Sequence, residues 1–104
     1  MTSQNEEDVY RLLEKIPAGK VITYKLLAQA AGIKNPRQVG QIIHKNPDSK
    51  KYPCHRVVRA DGTIATGYAF GGRPGQIKKL KSEGVEVIKY KIDLKKFQTK
   101  SSLF

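Results

Sequence analysis

Residues 23–45 read TYKLLAQAAGIKNPRQVGQIIHK, and the fold turns on them. Thr23 is a helix-capping residue type, Leu26, Leu27 and Ala30 recur on one face of the segment after it, and Gly32 supplies a stop. The pattern then restarts. Asn35 can cap again, Pro36 takes the first helical position where a missing N–H costs nothing, and Val39, Ile42 and Ile43 turn inward. Helices over 24–31 and 36–45, joined by a tight glycine-containing turn, predict a helix-turn-helix whose second helix faces DNA. Arg37 sits at the N-terminal end of that helix, where base-contacting residues usually sit, and Gly40 lets a backbone come close. An ordinary three-helix core carrying a surface arginine fits this pattern equally well.

Working outward, a first helix is expected over 5–15. Ser3 or Asn5 can cap it, Glu6, Glu7 and Asp8 suit its positive end, and Val9, Leu12, Leu13 and Ile16 share a face. Pro17 to Lys20 is a turn, and Val21-Ile22 a short extended piece. Downstream, 46–51 is a loop. Arg56–Val58 and Thr63–Ala65 read as two strands of a hairpin around Asp61-Gly62. Gly67 to Gly75 is a glycine-rich loop exposing Tyr68 and Phe70, and a fourth helix runs from Gln76 to about Ser82. The alternation over 85–92 predicts a strand, 93–97 a short helical turn, and 98–104 a frayed end. The expected class is mostly α with a small β component, a winged helix-turn-helix-like DNA-binding unit in a single domain over 1–104 with its core at about 5–97.

Charge narrows the partner. Lys plus Arg number 20 against 9 Asp plus Glu, a net +11. Residues 1–20 are slightly acidic, so the other 84 residues hold +12. Such an excess points to a polyanion, most simply nucleic acid. No run approaches the ~18 apolar residues of a membrane span. With a polar, acidic N-terminus and one cysteine, which excludes an internal disulfide, the expectation is an intracellular protein, cytoplasmic and nucleoid-associated or nuclear.

That cysteine lies in Tyr52-Pro53-Cys54-His55-Arg56-Val57-Val58. A lone cysteine is commonly a buried small hydrophobe, whereas a thiol beside an imidazole in a basic setting can be an activated nucleophile. One cysteine and two histidines, His44 and His55, lack zinc spacing, and no phosphate-cradling glycine motif is present, so neither metal nor cofactor is expected. Glu83 and Asn46 remain as orienting groups. Neighbours on a strand face opposite sides, so His55 would reach the thiol only across a bend or a bridging water. A nucleophilic cysteine in a basic helix-turn-helix unit suggests chemistry on DNA, with the target base flipped from the stack.

Several segments together resemble one family. Residues 16–24 (IPAGKVITY), Arg37-Gln38-Val39-Gly40, Asn46, Pro53-Cys54-His55-Arg56-Val57-Val58 and Glu83-Gly84 fall in the order and near-spacing of the O6-alkylguanine-DNA alkyltransferases. The resemblance covers about residues 6–85, the C-terminal domain of that family. It implies entry into the minor groove of double-stranded DNA, flipping of O6-alkylguanine, and irreversible transfer of the alkyl group to a cysteine. Carried over, Cys54 is the acceptor, His55 acts on it through water, Glu83 orients the imidazole, and Asn46 braces the turn. Tyr24 assists flipping and stabilises the departing guanine, while Arg37 fills the vacated stack. Gln38, Gly40, Gln41 and Arg56 join Arg37 and Tyr24 as DNA contacts; Ile43, Val57, Tyr68 and Ala69 line the base pocket.

Three departures qualify this resemblance. The family's usual N-terminal domain has no counterpart in these 104 residues, and the stretch from Gly62 to Gly71-Gly72 is two residues longer than the common pattern. The end over 84–97 looks like the alkyltransferase-like proteins, which bind O6-alkylguanine DNA with another residue in place of the cysteine. Three functions are therefore weighed: a monomeric single-turnover repair enzyme using Cys54; a lesion sensor partnered by nucleotide excision repair proteins; and a small regulator with a structural cysteine. The first is favoured because it alone uses the thiol.

Overall fold

The structure, a computed structural model, describes residues 4–65, 68 and 70–99. Helix α1 (Gln4–Glu14) carries Glu6 and Glu7 in its first turn, where the helix dipole favours negative charge. Val9, Leu12 and Leu13 turn to the interior. The two-residue strand β1 (Ile22–Thr23) leads into α2 (Tyr24–Ala31), whose cap is Thr23 Oγ1 accepting from the Leu26 amide at 3.1 Å. Gly32 ends α2 in the left-handed conformation, φ 72°. Asn35 caps α3 (Pro36–His44) through the Arg37 amide at 3.0 Å, with Pro36 in the first turn as expected. These helices pack on one another around Leu13, Leu27, Val39 and Ile43. The helix-turn-helix is thus built as its capping residues predict.

Cys54–Arg56, expected partly as strand, is instead a single 3₁₀ turn, followed by β2 (Val57–Val58). A second correction concerns pairing. β2 runs parallel to β1, with Ile22 opposite Val57 and Thr23 opposite Val58, and forms no hairpin with 63–65. The Asp-Gly turn does close, Arg59 N–H donating to Thr63 O at 3.0 Å, but the returning chain pairs with Lys91. Both strands are buried on each side. They also divide the interior. Ile22 and Val57 face the helical core, while Val21 and Val58 face a second cluster with Ile64, Leu80, Val85, Ile92 and Phe97.

The strand expected over 85–92 is reduced to bridges of Thr63 and Ile88 with Lys91, because Lys89 and Tyr90 adopt φ 50° and 62° and turn the chain sharply. Helix α4 (Gly72–Ser82) begins four residues before the expected Gln76. Pro74 is tolerated in its first turn, and Gly75 is required there, since a Cβ would stand 2.6 Å from Phe70 O. Helix α5 (Leu94–Phe97) is capped by Asp93. Gln98 and Thr99, expected to fray, are held instead, with Thr99 N–H donating to Val21 O at 2.7 Å. The expected loop residues Gly67 and Ala69 lie outside the described residues.

Candidate active site and nucleic-acid interface

Cys54 opens the 3₁₀ turn and is a buried free thiol, 3% exposed. Its turn is held from behind by Asn46. The Asn46 side-chain amide donates to Tyr52 O at 2.7 Å, and its carbonyl oxygen accepts from the Asp48 amide at 3.0 Å. One buried side chain so fixes both the loop after α3 and the approach to the thiol. Burial pushes the Cys54 thiol above its ordinary value, opposed by a hydrogen bond from Asn46 and by the Lys79 ammonium. The thiol therefore rests protonated at neutral pH and needs a base to become a nucleophile.

A base stands in the next position. His55 is buried, and its Nε2 lies 2.9 Å from Glu83 Oε1. Glu83 is also gripped by Arg56, whose Nε donates to Oε1 at 3.0 Å and whose second nitrogen donates to Oε2. Burial alone would raise the Glu83 carboxyl, but the bonds from Arg56 and His55 outweigh it and hold the group below its ordinary range. An ionised Glu83 accepts a hydrogen bond from Nε2–H, which leaves Nδ1 with the free lone pair. Nδ1 is buried with no hydrogen-bond partner among the described residues. Burial, the largest influence, lowers the His55 pKa in spite of Glu83, so the imidazole is neutral and can accept a proton. In the 3₁₀ turn the two side chains are no longer forced to opposite faces, as they would be on a strand.

A cavity of about 620 Å³ opens beside the thiol. Of the residues expected at DNA or the base, Tyr24, Arg37, Gly40, Gln41, Ile43 and Tyr68 line it together with Cys54. Three are not brought there. Val57 is fully buried in the helical core, and Gln38 is exposed on α3 away from the lining. Arg56, expected among the DNA contacts, points inward: its third nitrogen donates to Ile16 O at 2.6 Å and its charge is spent on Glu83. Ala69 lies outside the described residues. Tyr24 keeps its proton more tightly than usual, through burial and then the nearby thiol, with Arg59 acting in the opposite sense.

Gln76 and Arg59 are among the residues at the site that were not anticipated. Gln76 is buried and donates to His55 O at 2.9 Å and Val57 O at 3.0 Å, locking the turn to β2. Its signal was available, because it lies one turn before Leu80 on the inward face of α4. Arg59 lines the cavity and gave no signal in a lysine- and arginine-rich sequence. Among the described residues, no group of three or more His, Cys, Asp or Glu could hold a metal, and no helix is long and apolar enough to cross a membrane.

Residues 4–85 match the family described as 6-O-methylguanine DNA methyltransferase, DNA binding domain. The chain belongs to the O6-alkylguanine-DNA alkyltransferase family. Among its relatives is a bifunctional methyltransferase/endonuclease of Picrophilus torridus, 37% identical over 91 residues, which cover 86% of this chain and 30% of that protein. A methylated-DNA–protein-cysteine methyltransferase of Saccharolobus solfataricus is 41% identical over 81 residues, covering 76% of this chain and 50% of that one. The chain thus spans half or less of these alkyltransferase relatives. The crystal structure of Schizosaccharomyces pombe Atl1 with damaged DNA containing O6-carboxymethylguanine superposes with a TM-score of 0.86 at 33% identity, covering 96% of this chain and 99% of that one. The alkyltransferase fold of a helical domain with a small two-stranded sheet is therefore shared along nearly the whole chain.

Proposed function

We propose that this alkyltransferase-family protein repairs duplex DNA by moving the O6-alkyl group of a flipped-out guanine onto Cys54. The observation that carries this is a free thiol in the wall of a cavity roomy enough for a flipped base, backed by the His55–Glu83–Arg56 chain. The thiol proton passes to His55 Nδ1 through a water, and Sγ attacks the alkyl carbon in line with the C–O6 bond. An S–C bond forms, the C–O6 bond breaks, and its electron pair leaves with guanine. Tyr24 donates a proton at guanine N3 as charge develops there and recovers one from the imidazolium, so the thiol proton ends on guanine. Nothing removes the alkyl group from sulfur, so each molecule acts once. Arg37, on the rim of the cavity, fills the stack from the minor groove, and Ile43 and Tyr68 hold the base.

The test is transfer of a labelled methyl group from an O6-methylguanine duplex. Cys54→Ala should abolish transfer and leave duplex binding largely intact; lost binding would make the residue structural. A second reading is a lesion sensor that binds O6-alkylguanine DNA and passes it to nucleotide excision repair proteins. It is supported by the raised thiol pKa and by the end-to-end likeness to Atl1. Intact, lesion-selective binding without transfer would establish it over the enzyme.

A further inference from the structure

A second depression of about 430 Å³ adjoins the first, and Tyr24, Pro36 and Arg59 belong to the walls of both. Its floor is apolar, with Ala28 and Ile33 buried beneath it. Its rim is cationic. Lys25, Lys34 and Arg59 stand around it, all exposed and none with a carboxylate partner among the described residues. We propose that this groove is a phosphodiester-binding site for the strand flanking the flipped nucleotide, with Arg59 as the clamp at the boundary between base cavity and backbone groove. The inference rests on the proposed DNA function but adds a ligand contact that the function alone does not contain.

The chemistry of the rim selects the ligand. Three cations over an apolar floor fit a chain of phosphates joined by sugars, with the charges on the oxygens and the sugar edge against Ala28 and Ile33. Arg59 differs from the lysines in presenting a planar guanidinium in place of a point charge. It begins the tight turn, donating to Thr63 O at 3.0 Å and accepting from the Gly62 amide at 2.8 Å, so its backbone is fixed. A planar guanidinium on a fixed backbone suits bidentate phosphate binding. A nucleotide whose base occupies the cavity must carry its backbone over the shared wall of Tyr24, Pro36 and Arg59.

Duplex affinity measured by fluorescence anisotropy across a salt series tests this, using one O6-methylguanine duplex and its undamaged counterpart. Arg59→Gln should weaken lesion-duplex binding by about fivefold or more at low salt and reduce the log–log salt slope by about one. Lys25→Gln combined with Lys34→Gln should reduce the slope by about two. Lys81→Gln, an exposed charge on α4 outside both cavities, is the control for net charge. Arg59→Gln behaving like Lys81→Gln overturns the groove. A wild type that binds both duplexes equally strikes the lesion reading instead, and the slope difference still decides the groove.

Discussion

Cys54 and His55 are neighbours whose pKa values are pushed apart by the same burial, the thiol up and the imidazole down. The free protein therefore holds a neutral thiol beside a neutral base. Iodoacetamide modification of Cys54 should rise with pH through a midpoint above that of an ordinary cysteine. Asn46→Ala should move that midpoint higher, since it removes a hydrogen bond that favours the thiolate, and should cost about 1–3 kcal/mol by stranding Tyr52 O and the Asp48 amide. Urea unfolding measures the second effect; an unchanged midpoint and stability would remove Asn46 from the site.

The same residues set an acid limit. In the unfolded chain His55 takes a proton below 6.5, whereas the folded imidazole resists until lower pH, so stability falls as pH drops from 6.5 towards the folded value. Glu83 adds a further loss below 4.5, because its folded carboxyl stays ionised where the unfolded one protonates. The melting temperature should therefore decline on acidification from pH 7, and His55→Gln should flatten the upper part of that decline. A flat profile in the wild type would contradict the buried neutral imidazole. At this scale the lone cysteine, Tyr24, Arg37 and Glu83 were legible because a specific motif spaced them. Arg56 was misread, since nothing local distinguishes a guanidinium facing DNA from one neutralising a buried carboxylate.

At the scale of elements, caps were readable and pairing was not. Thr23, Gly32 and Asn35 mark helix ends through local backbone chemistry, which survives folding unchanged. The partner of Val57-Val58 is set instead by Ile22-Thr23, more than thirty residues away, and no local rule reports it. The turn at Gly62 shows how tightly these elements interlock. It has φ 89°, and a Cβ there would lie 2.4 Å from Ile92 O. Gly62→Ala should cost at least about 2 kcal/mol, read from the urea midpoint. It should also weaken duplex binding by displacing Arg59; full stability would show that the 62–92 contact can yield.

Across the whole molecule, the small parallel sheet separates a helical core that carries the reading head from a second core that carries α4 and Glu83. Cys54 belongs to the first, and the His55–Glu83 and Gln76–His55 bonds cross to the second. The thiol and its base are thus assembled only when both cores are formed. The net charge of +11 made a polyanion partner legible from composition, but the grouping of Lys25, Lys34 and Arg59 at one groove needed the fold. The proposed repair reaction depends on Cys54 accepting an alkyl group from DNA. Peptide mass spectrometry after incubation with an O6-methylguanine duplex reads that event at the sulfur itself. One added methyl group is expected on the peptide containing Cys54 and on no other, and a bound duplex with that peptide unmodified would contradict the transfer.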